Sequence, residues 1–528
     1  MTLSTSDRHA RREPKSRPGR RLAFWLRGTA GLVGALLATA ILGVSPAAAA
    51  GGLRQITVDA SKPVGLIRSL QGVSGTPLPG DVSHADLTAQ FRQLGVNIVR
   101  THDVDCNGTS DIDGLGPNRI FPSWNANPND PSSYNFGPTD QAILSIGRSG
   151  AQVEYSVGHS DLGCAGVGFN NTPPPDPALY AAVVRHVAQH YNDGWDNGYH
   201  LHIRYWEIWN EPDLVPFWSG TSAQYYTLYG DAARALKSLH PWMEVGGPAL
   251  TTNNDLTGYR ESLLAYIRAN HLPLDFYAVH HYSDFTEDPV DFVRLADEYR
   301  QLLDSYGFTR TDVQLTEWNY GLVDNPSDAQ RAAFAADSLI YMQNSPLDRA
   351  FFYRANGNGA FGGALINPDG SLTKTGDAYA AVGSMGSTPL RLASTGGDQD
   401  GLAVEAGRSL LGRGQVNVLI SNYEIPPADQ GPFPDPPIVN DLFTIPGIGA
   451  FTLLPRRPVT YANNDGYDLI VSYISGGQSG VVVSRYRIDD SDNLTLVDRS
   501  LQRGPSVHVS ASLPAPSVEL VSISPLHG

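Results

Sequence analysis

The chain has 528 residues, 41% hydrophobic and 17% charged, too long for one ordinary domain and apolar enough to bury a real core. Its formal net charge is −16 at pH 7, which repels phosphate backbones and anionic bilayers and argues against nucleic-acid partners and membrane docking. The two cysteines, Cys106 and Cys164, fit no zinc motif, and no phosphate loop or cofactor fingerprint appears, so neither a metal nor a cofactor is expected.

The first fifty residues differ from the rest. Met1 to Arg27 carries eight Arg or Lys and two acids, followed by the uncharged "GTAGLVGALLATAILGV" (28–44) and "SPAAAA". A basic segment, a short apolar run and small residues predict a secretory signal over 1–50 and an extracellular protein with no membrane attachment after cleavage. A membrane anchor is the alternative, but the run is at the short limit for spanning and no basic stop follows. Arg20-Arg21 fits the twin-arginine route. Removing a leader of net +6 takes the remainder from −16 to −22.

After the leader, "RQITVDA" (54–60) reads as a strand preceding the main repeat; residues 51–64 are expected to join the C-terminal domain. Then eight short β-rich runs alternate with helical segments: 67–75, 97–102, 152–159, 205–211, 243–249, 275–282, 312–319 and 349–355. Most are apolar on both faces, the mark of parallel strands covered by helices. The helices carry start signals: Asp176-Pro177, and the capping-box patterns Thr221-x-x-Gln224 and Ser327-x-x-Gln330. Eight such units predict an α/β fold with a closed (β/α)8 TIM barrel over 65–386. An open doubly wound sheet would usually show a Gly-rich phosphate loop after its first strand, and none is present.

Over 387–528 the rhythm changes. "GLAVEAG", "QVNVLISNY", "DLIVSYI", "GVVVSRYRI" and "SVELVSISP" follow one another without long helices, which predicts an antiparallel β-sandwich. The Pro-rich "EIPPADQGPFPDPPIV" (424–439) reads as a surface loop.

Two carboxylates stand out. Glu211 closes the fourth barrel run in "RYWEIWNEPDL", and Glu317 lies near the end of the seventh in "QLTEWNYG". Working residues of such barrels sit at the C-terminal strand ends, so both would face one mouth. Two carboxylates across a polar pocket are the equipment for cleaving a glycosidic bond. In "DFYAVHHY", adjacent His280 and His281 point to opposite strand faces and make poor metal co-ligands. Trp318 and Trp209 could form a sugar-stacking wall or belong to the core. Cys106 and Cys164 follow neighbouring strands, and export predicts a disulfide between them on the catalytic rim.

The ordered series "WEIWNEPDL", "FWSGTSAQYYTLYGDAARALK", "VGGPA", "DFYAVHHY" and "LTEWN" resembles glycoside hydrolase family 39, the family of β-xylosidases and α-L-iduronidases. "VRTHDV" and "VSRYRIDDSDNLTL" also resemble family segments. The resemblance implies a retaining enzyme with Glu211 as acid/base and Glu317 as nucleophile. It implies that Asn210 bonds the sugar 2-hydroxyl and that His102, His280 and Tyr282 contact substrate, beside the stacking contact expected of Trp318. Arg100 then steers the nucleophile or serves as a buried structural ion pair. The partner would be an oligosaccharide or polysaccharide side chain, with β-D-xylose the default unit; α-L-iduronides, for which Arg354 offers a cation, and arabinose-containing chains stay open. Transglycosylation uses the same carboxylates, a non-catalytic carbohydrate-binding protein is the competing class, and oligomerisation is left open.

Overall fold

The computed structural model describes residues 52–78, 85–102, 120–158, 171–252, 258–283, 287–321, 326–356, 363–410, 414–425 and 465–526, with short pieces at 438–439, 451–452 and 459. The expected signal segment 1–50, Cys106 and Cys164 lie outside these residues.

Eight parallel strands close into a barrel in chain order. They are β2 (Gly72–Ser74), β3 (Ile98–Arg100), β4 (Gln152–Val157), β5 (Tyr205–Ile208), β6 (Glu244–Thr251), β7 (Phe276–Tyr282), β8 (Asp312–Asn319) and β9 (Leu347–Phe352). Each is followed by a helix: α1 (Thr88–Gln93), α2 (Gly137–Ser149), α3 (Pro177–Asp193), α4 (Ser222–Leu239), α5 (Tyr259–Ala269), α6 (Asp291–Ser305), α7 (Asp328–Met342) and α8 (Lys374–Ser384). The start signals act as read: Asp176 accepts from the Ala178 amide, Thr221 and Gln224 form a reciprocal capping box, and Ser327 accepts from the Gln330 amide. In α3, Tyr180, Val183, Val184, Val187, Ala188 and Tyr191 are all buried, an i, i+3, i+4, i+7 stripe laid on the barrel wall.

Strand alternation sorts the barrel residues into two sets. Val99, Tyr155, Val157, Trp206, Ile208, Tyr277, Val279, Val313 and Leu315 point outward into the large core shared with the helices. Ile98, Tyr205, Phe276, Ala278 and Phe351 point inward and plug the barrel. Gly246 is needed for the fit, since a Cβ there would lie 2.3 Å from the Phe276 carbonyl oxygen on the neighbouring strand.

The strand before the barrel, β1 (Arg54–Leu66), belongs to a second sheet. Its companions are β10 (Leu390–Thr395), β11 (Leu402–Arg408), β12 (Val416–Asn422), β15 (Gly466–Ser472), β16 (Val481–Ile488), β17 (Thr495–Gln502), β18 (Ser506–Ser512) and β19 (Ser517–Pro525). Where the sequence suggested an antiparallel sandwich, the hydrogen bonding gives one nine-stranded sheet in the order β17-β16-β19-β12-β11-β10-β1-β15-β18. It is mostly antiparallel, but β1 runs parallel to β15. The Pro-rich stretch is not wholly loop: β13 (Ile438–Val439) pairs with β14 (Phe451–Thr452).

One sheet face buries its own apolar cluster, which includes Ile56, Val418, Leu469, Val483, Val509 and Ile523. The other face meets the barrel, with Ala403, Leu419, Val518 and Leu520 joining the main core beside α7. Helix α7 is accordingly Ala-rich and buried nearly all round, because small side chains let it lie between sheet and barrel. Among the described residues, no helix is long and apolar enough to cross a membrane.

Candidate active site

The inward-facing residues become polar toward the C-terminal ends of the strands. Arg100 ends β3 with its side chain fully buried. Such a cation must be paired, and each of its three nitrogens engages a different group. Nε donates to Glu207 Oε2 at 2.7 Å, Nη1 to Glu317 Oε1 at 2.8 Å and Nη2 to Asn210 Oδ1 at 2.8 Å. Burial alone would lower the Arg100 pKa, but the charges of Glu207 and Glu317 outweigh it and hold the pKa above its ordinary value.

Glu317 is held from several sides. Tyr282 donates its hydroxyl to Oε2 at 2.7 Å, His102 Nδ1 stands 3.6 Å from Oε1, and His280 Nδ1 stands 3.5 Å from Oε2. Burial, and then the charge of Glu317, push the Tyr282 pKa well above ordinary, so the phenol stays a donor. His280 Nδ1 also lies 2.8 Å from Glu211 Oε1. Burial first, then the positive neighbours Arg100 and His102, push the His280 pKa well down, so its ring is neutral. Ligating atoms of Glu211, His280 and Glu317 all lie within 4.8 Å of one another. Among the described residues this is the one acid/histidine group close enough to share a cation, and Arg100 already supplies Glu317 with a positive charge at 2.8 Å.

Two backbone irregularities build this arrangement. Glu207 on β5 points inward, so strict alternation would turn Trp209 inward too. Instead Trp209 adopts φ +74° and Glu211 φ +43°, left-handed conformations that side chains seldom take outside functional sites. Trp209 therefore packs outward, edge-on to Trp218, and donates Nε1 to the Phe217 carbonyl at 3.2 Å. Asn210 and Glu211 both reach the mouth, and the Glu211 amide is tied to the Ala249 carbonyl at 3.0 Å.

The second irregularity lies in β8. Val313 and Leu315 face outward, so alternation would send Glu317 outward and Trp318 inward. The β7–β8 register slips by one residue, pairing Val279 with Leu315 but His280 with Glu317. The extra residue reverses the facing: Glu317 enters the mouth and Trp318 leaves it.

Trp318 is consequently not a sugar wall. It is 0% exposed and packed edge-on against Phe292 and Phe352, which corrects its expected substrate contact. Its register partner His281 likewise faces the helices, packs edge-on to Phe292 and bonds Thr252 Oγ1 at 2.9 Å; burial lowers its pKa to about 4. Arg354 donates Nε to the Asn356 carbonyl at 2.6 Å.

Glu207 and Glu154 are site neighbours that the motifs did not single out. Both are fully buried inside the barrel. Burial, then the charge of Glu207, raises the Glu154 pKa well above the usual range. The available signal was a carboxylate inside an apolar run, in "VEYSV" and "YWEIW", where an acid must find a partner.

The family model for glycosyl hydrolases family 39 matches residues 126–355. The chain is 31% identical over 195 residues to a beta-xylosidase of Geobacillus stearothermophilus; the matched stretch is 32% of this chain and 37% of that protein. So the chain spans little more than a third of the length of the curated relative it matches. A crystal structure of a glucosidase from Croceicoccus marinus is similar at 32% identity with a TM-score of 0.80, covering 90% of this chain and all of that one. A monomeric beta-xylosidase from Caulobacter crescentus CB15 shares the fold, with a TM-score of 0.64 at 18% identity over 90% of this chain and all of that one. With the motif order, the barrel and a match along the whole length of a relative, the chain belongs to glycoside hydrolase family 39.

Proposed function

We propose that the protein is a secreted, retaining glycoside hydrolase that removes terminal sugars, β-xylosides by default, through a covalent glycosyl-enzyme intermediate. One observation carries this reading: oxygens of Glu211 and Glu317 lie within 4.8 Å across a buried barrel mouth. Retaining enzymes hold their carboxyl groups about 5–5.5 Å apart, whereas inverting ones need roughly 6.5–9.5 Å to seat a water between them.

The chemistry follows from the contacts. Glu317, oriented by Arg100 and Tyr282, attacks the anomeric carbon as Glu211 passes its proton to the departing oxygen. The bond to the leaving group breaks and an ester to Glu317 forms. Glu211, now a carboxylate, takes a proton from water. That water attacks the same carbon, the ester bond breaks, and the Glu317 carboxylate and the Glu211 proton are restored. Neutral His280 at 2.8 Å orients Glu211 in both half-reactions. Arg100 can only donate, so it engages Asn210 through Oδ1 and assigns Nδ2 as the donor toward a sugar 2-hydroxyl.

A glucoside substrate is a second reading, favoured by the full-length match to the Croceicoccus glucosidase. Xylose and glucose differ only by the C5 hydroxymethyl group, and the carboxylate machinery serves both. The Cys106–Cys164 disulfide stays part of the proposal, as does a sandwich-like folding of the nine-stranded sheet over its apolar cluster. A panel of aryl glycosides, with Glu317→Ala as control, tests the assignment. Release of the aryl group from a xyloside or glucoside by the wild type alone supports it, and release undiminished in the variant overturns it. Two free thiols found by mass spectrometry in the secreted protein would remove the disulfide.

A further inference from the structure

The three-way engagement of Arg100 gives one cation two anionic partners. Its Nε and Nη1 meet Glu207 and Glu317 at 2.7 and 2.8 Å, all inside the barrel. We propose that Glu207 is a positioning residue that competes with Glu317 for the charge of Arg100, and so keeps the nucleophile basic while fixing the guanidinium that aims it. This rests on Glu317 being the nucleophile.

A carboxylate alone with a buried guanidinium ionises readily but attacks weakly, because the cation stabilises the charge that the attack must spend. Sharing the cation relieves that penalty. The surrounding groups leave the competition intact. Glu317 is faced by Arg100 and His102 from the β3 side, by His280 and Tyr282 from β7, and by Glu211 from the end of β5. Glu207 is faced by Arg100 from β3 and Glu154 from β4, while Tyr225 of α4 donates to the Ile208 carbonyl on the outer side of β5. Burial pushes the Glu154 pKa well up, which disfavours a second anion beside Glu207, and neither Glu154 nor Tyr225 can supply a second cation.

The geometry also makes Glu207 the far anchor of the fork. Arg100 reaches Glu317 and Asn210 through its two terminal nitrogens, and Glu207 fixes the Nε edge behind them. Rotation of the guanidinium would misplace the nucleophile and the 2-hydroxyl contact together.

The test is Glu207→Gln, which keeps an acceptor for Nε and removes the charge. The pH profile of kcat/KM on an aryl glycoside is measured, together with the rate of trapping by a 2-deoxy-2-fluoro glycosyl reagent followed by intact mass. The acidic limb, which reports the nucleophile, is expected to move down by about one pH unit or more, the scale on which an adjacent guanidinium shifts a carboxylate. Trapping on the plateau is expected to slow at least about tenfold, and the alkaline limb to stay in place. Glu207→Asp keeps the charge and is expected to retain the wild-type acidic limb even as its rate falls. A Gln variant whose acidic limb stays at the wild-type position, or an Asp variant whose limb moves down, overturns the proposal while wild-type labelling at Glu317 leaves the hydrolase reading standing. A wild type that neither turns over nor becomes labelled overturns both.

Discussion

Truncating Glu211 to alanine removes the proposed proton donor while leaving Glu317, the proposed nucleophile, and its supports in place. General acid catalysis contributes about 10²–10⁴ in rate, or roughly 2.7–5.4 kcal/mol of barrel-mouth stabilisation at about 1.36 kcal/mol per tenfold. His280 decides where in that range the loss falls. Its Nδ1 sits 2.8 Å from Glu211 Oε1, within reach as a substitute donor, but burial and the positive neighbours Arg100 and His102 keep its ring neutral near pH 7. It cannot protonate a leaving group there, so the deficit on a 4-nitrophenyl glycoside should approach the upper end. A 2,4-dinitrophenyl glycoside needs no proton, so its first half-reaction should proceed and the ester to Glu317 should accumulate. Azide, entering the space left by the carboxylate, should accelerate turnover and give a glycosyl azide of retained configuration. The assay is steady-state release of both phenols with and without azide, with the azide product identified by NMR. A loss under about tenfold on the 4-nitrophenyl substrate would refute the acid role; an azide of inverted configuration would exchange the roles of the two carboxylates.

Arg100→Met should abolish measurable turnover and destabilise the protein by about 3–5 kcal/mol in chemical denaturation, since Glu207 and Glu317 lose their shared partner inside the barrel; a loss under about 1 kcal/mol would contradict the three-way pairing. Trp318→Ala should cost about 3–5 kcal/mol as a core cavity while leaving KM nearly unchanged in the folded fraction; a raised KM with full stability would return Trp318 to the substrate. Asp312 has its pKa raised from 3.8 to about 6, chiefly by burial and then by Asp348 and Glu244. The native state therefore binds this proton more tightly, and stability falls as pH rises through that window. Asp312→Asn lacks that loss, so its melting temperature relative to wild type should climb between about pH 4 and 6 and then level off; a difference that does not vary with pH removes the argument.

The barrel was legible because its strands are apolar on both faces and its helices announce their starts, as at Asp176, Thr221 and Ser327. Glu211 and Glu317, which the structure brings together, stood out as a pair: either alone would more often be a loop contact, but both end barrel runs flanked by Trp and Asn. What escaped was facing. Trp209 and Trp318 look like sugar walls when strands are read as uninterrupted alternation, and a positive φ at one and a register slip beside the other send both into the core. Neither irregularity leaves a glycine or proline at the residue concerned. Glu207 and Glu154 could be seen to need partners, but alternation within one strand cannot say which residue on another strand supplies them. The strands β10, β17 and β18 were harder to read because no more than half of their residues are apolar; β17 is exposed along most of its length.

The placement of β1 has a consequence for how the molecule is assembled and dissected. Its interior position in the second sheet, between β10 and β15, brings Gln55 against Asp468, 413 positions further along the chain. That sheet cannot close until nearly the whole polypeptide exists, and closing so distant a loop is entropically slow. A barrel cut off after α8 would carry β1 as a loose, sticky ribbon with both edges bare. A shorter catalytic fragment should thus begin beyond Leu66, with the faces of α7 that the sheet now covers made polar.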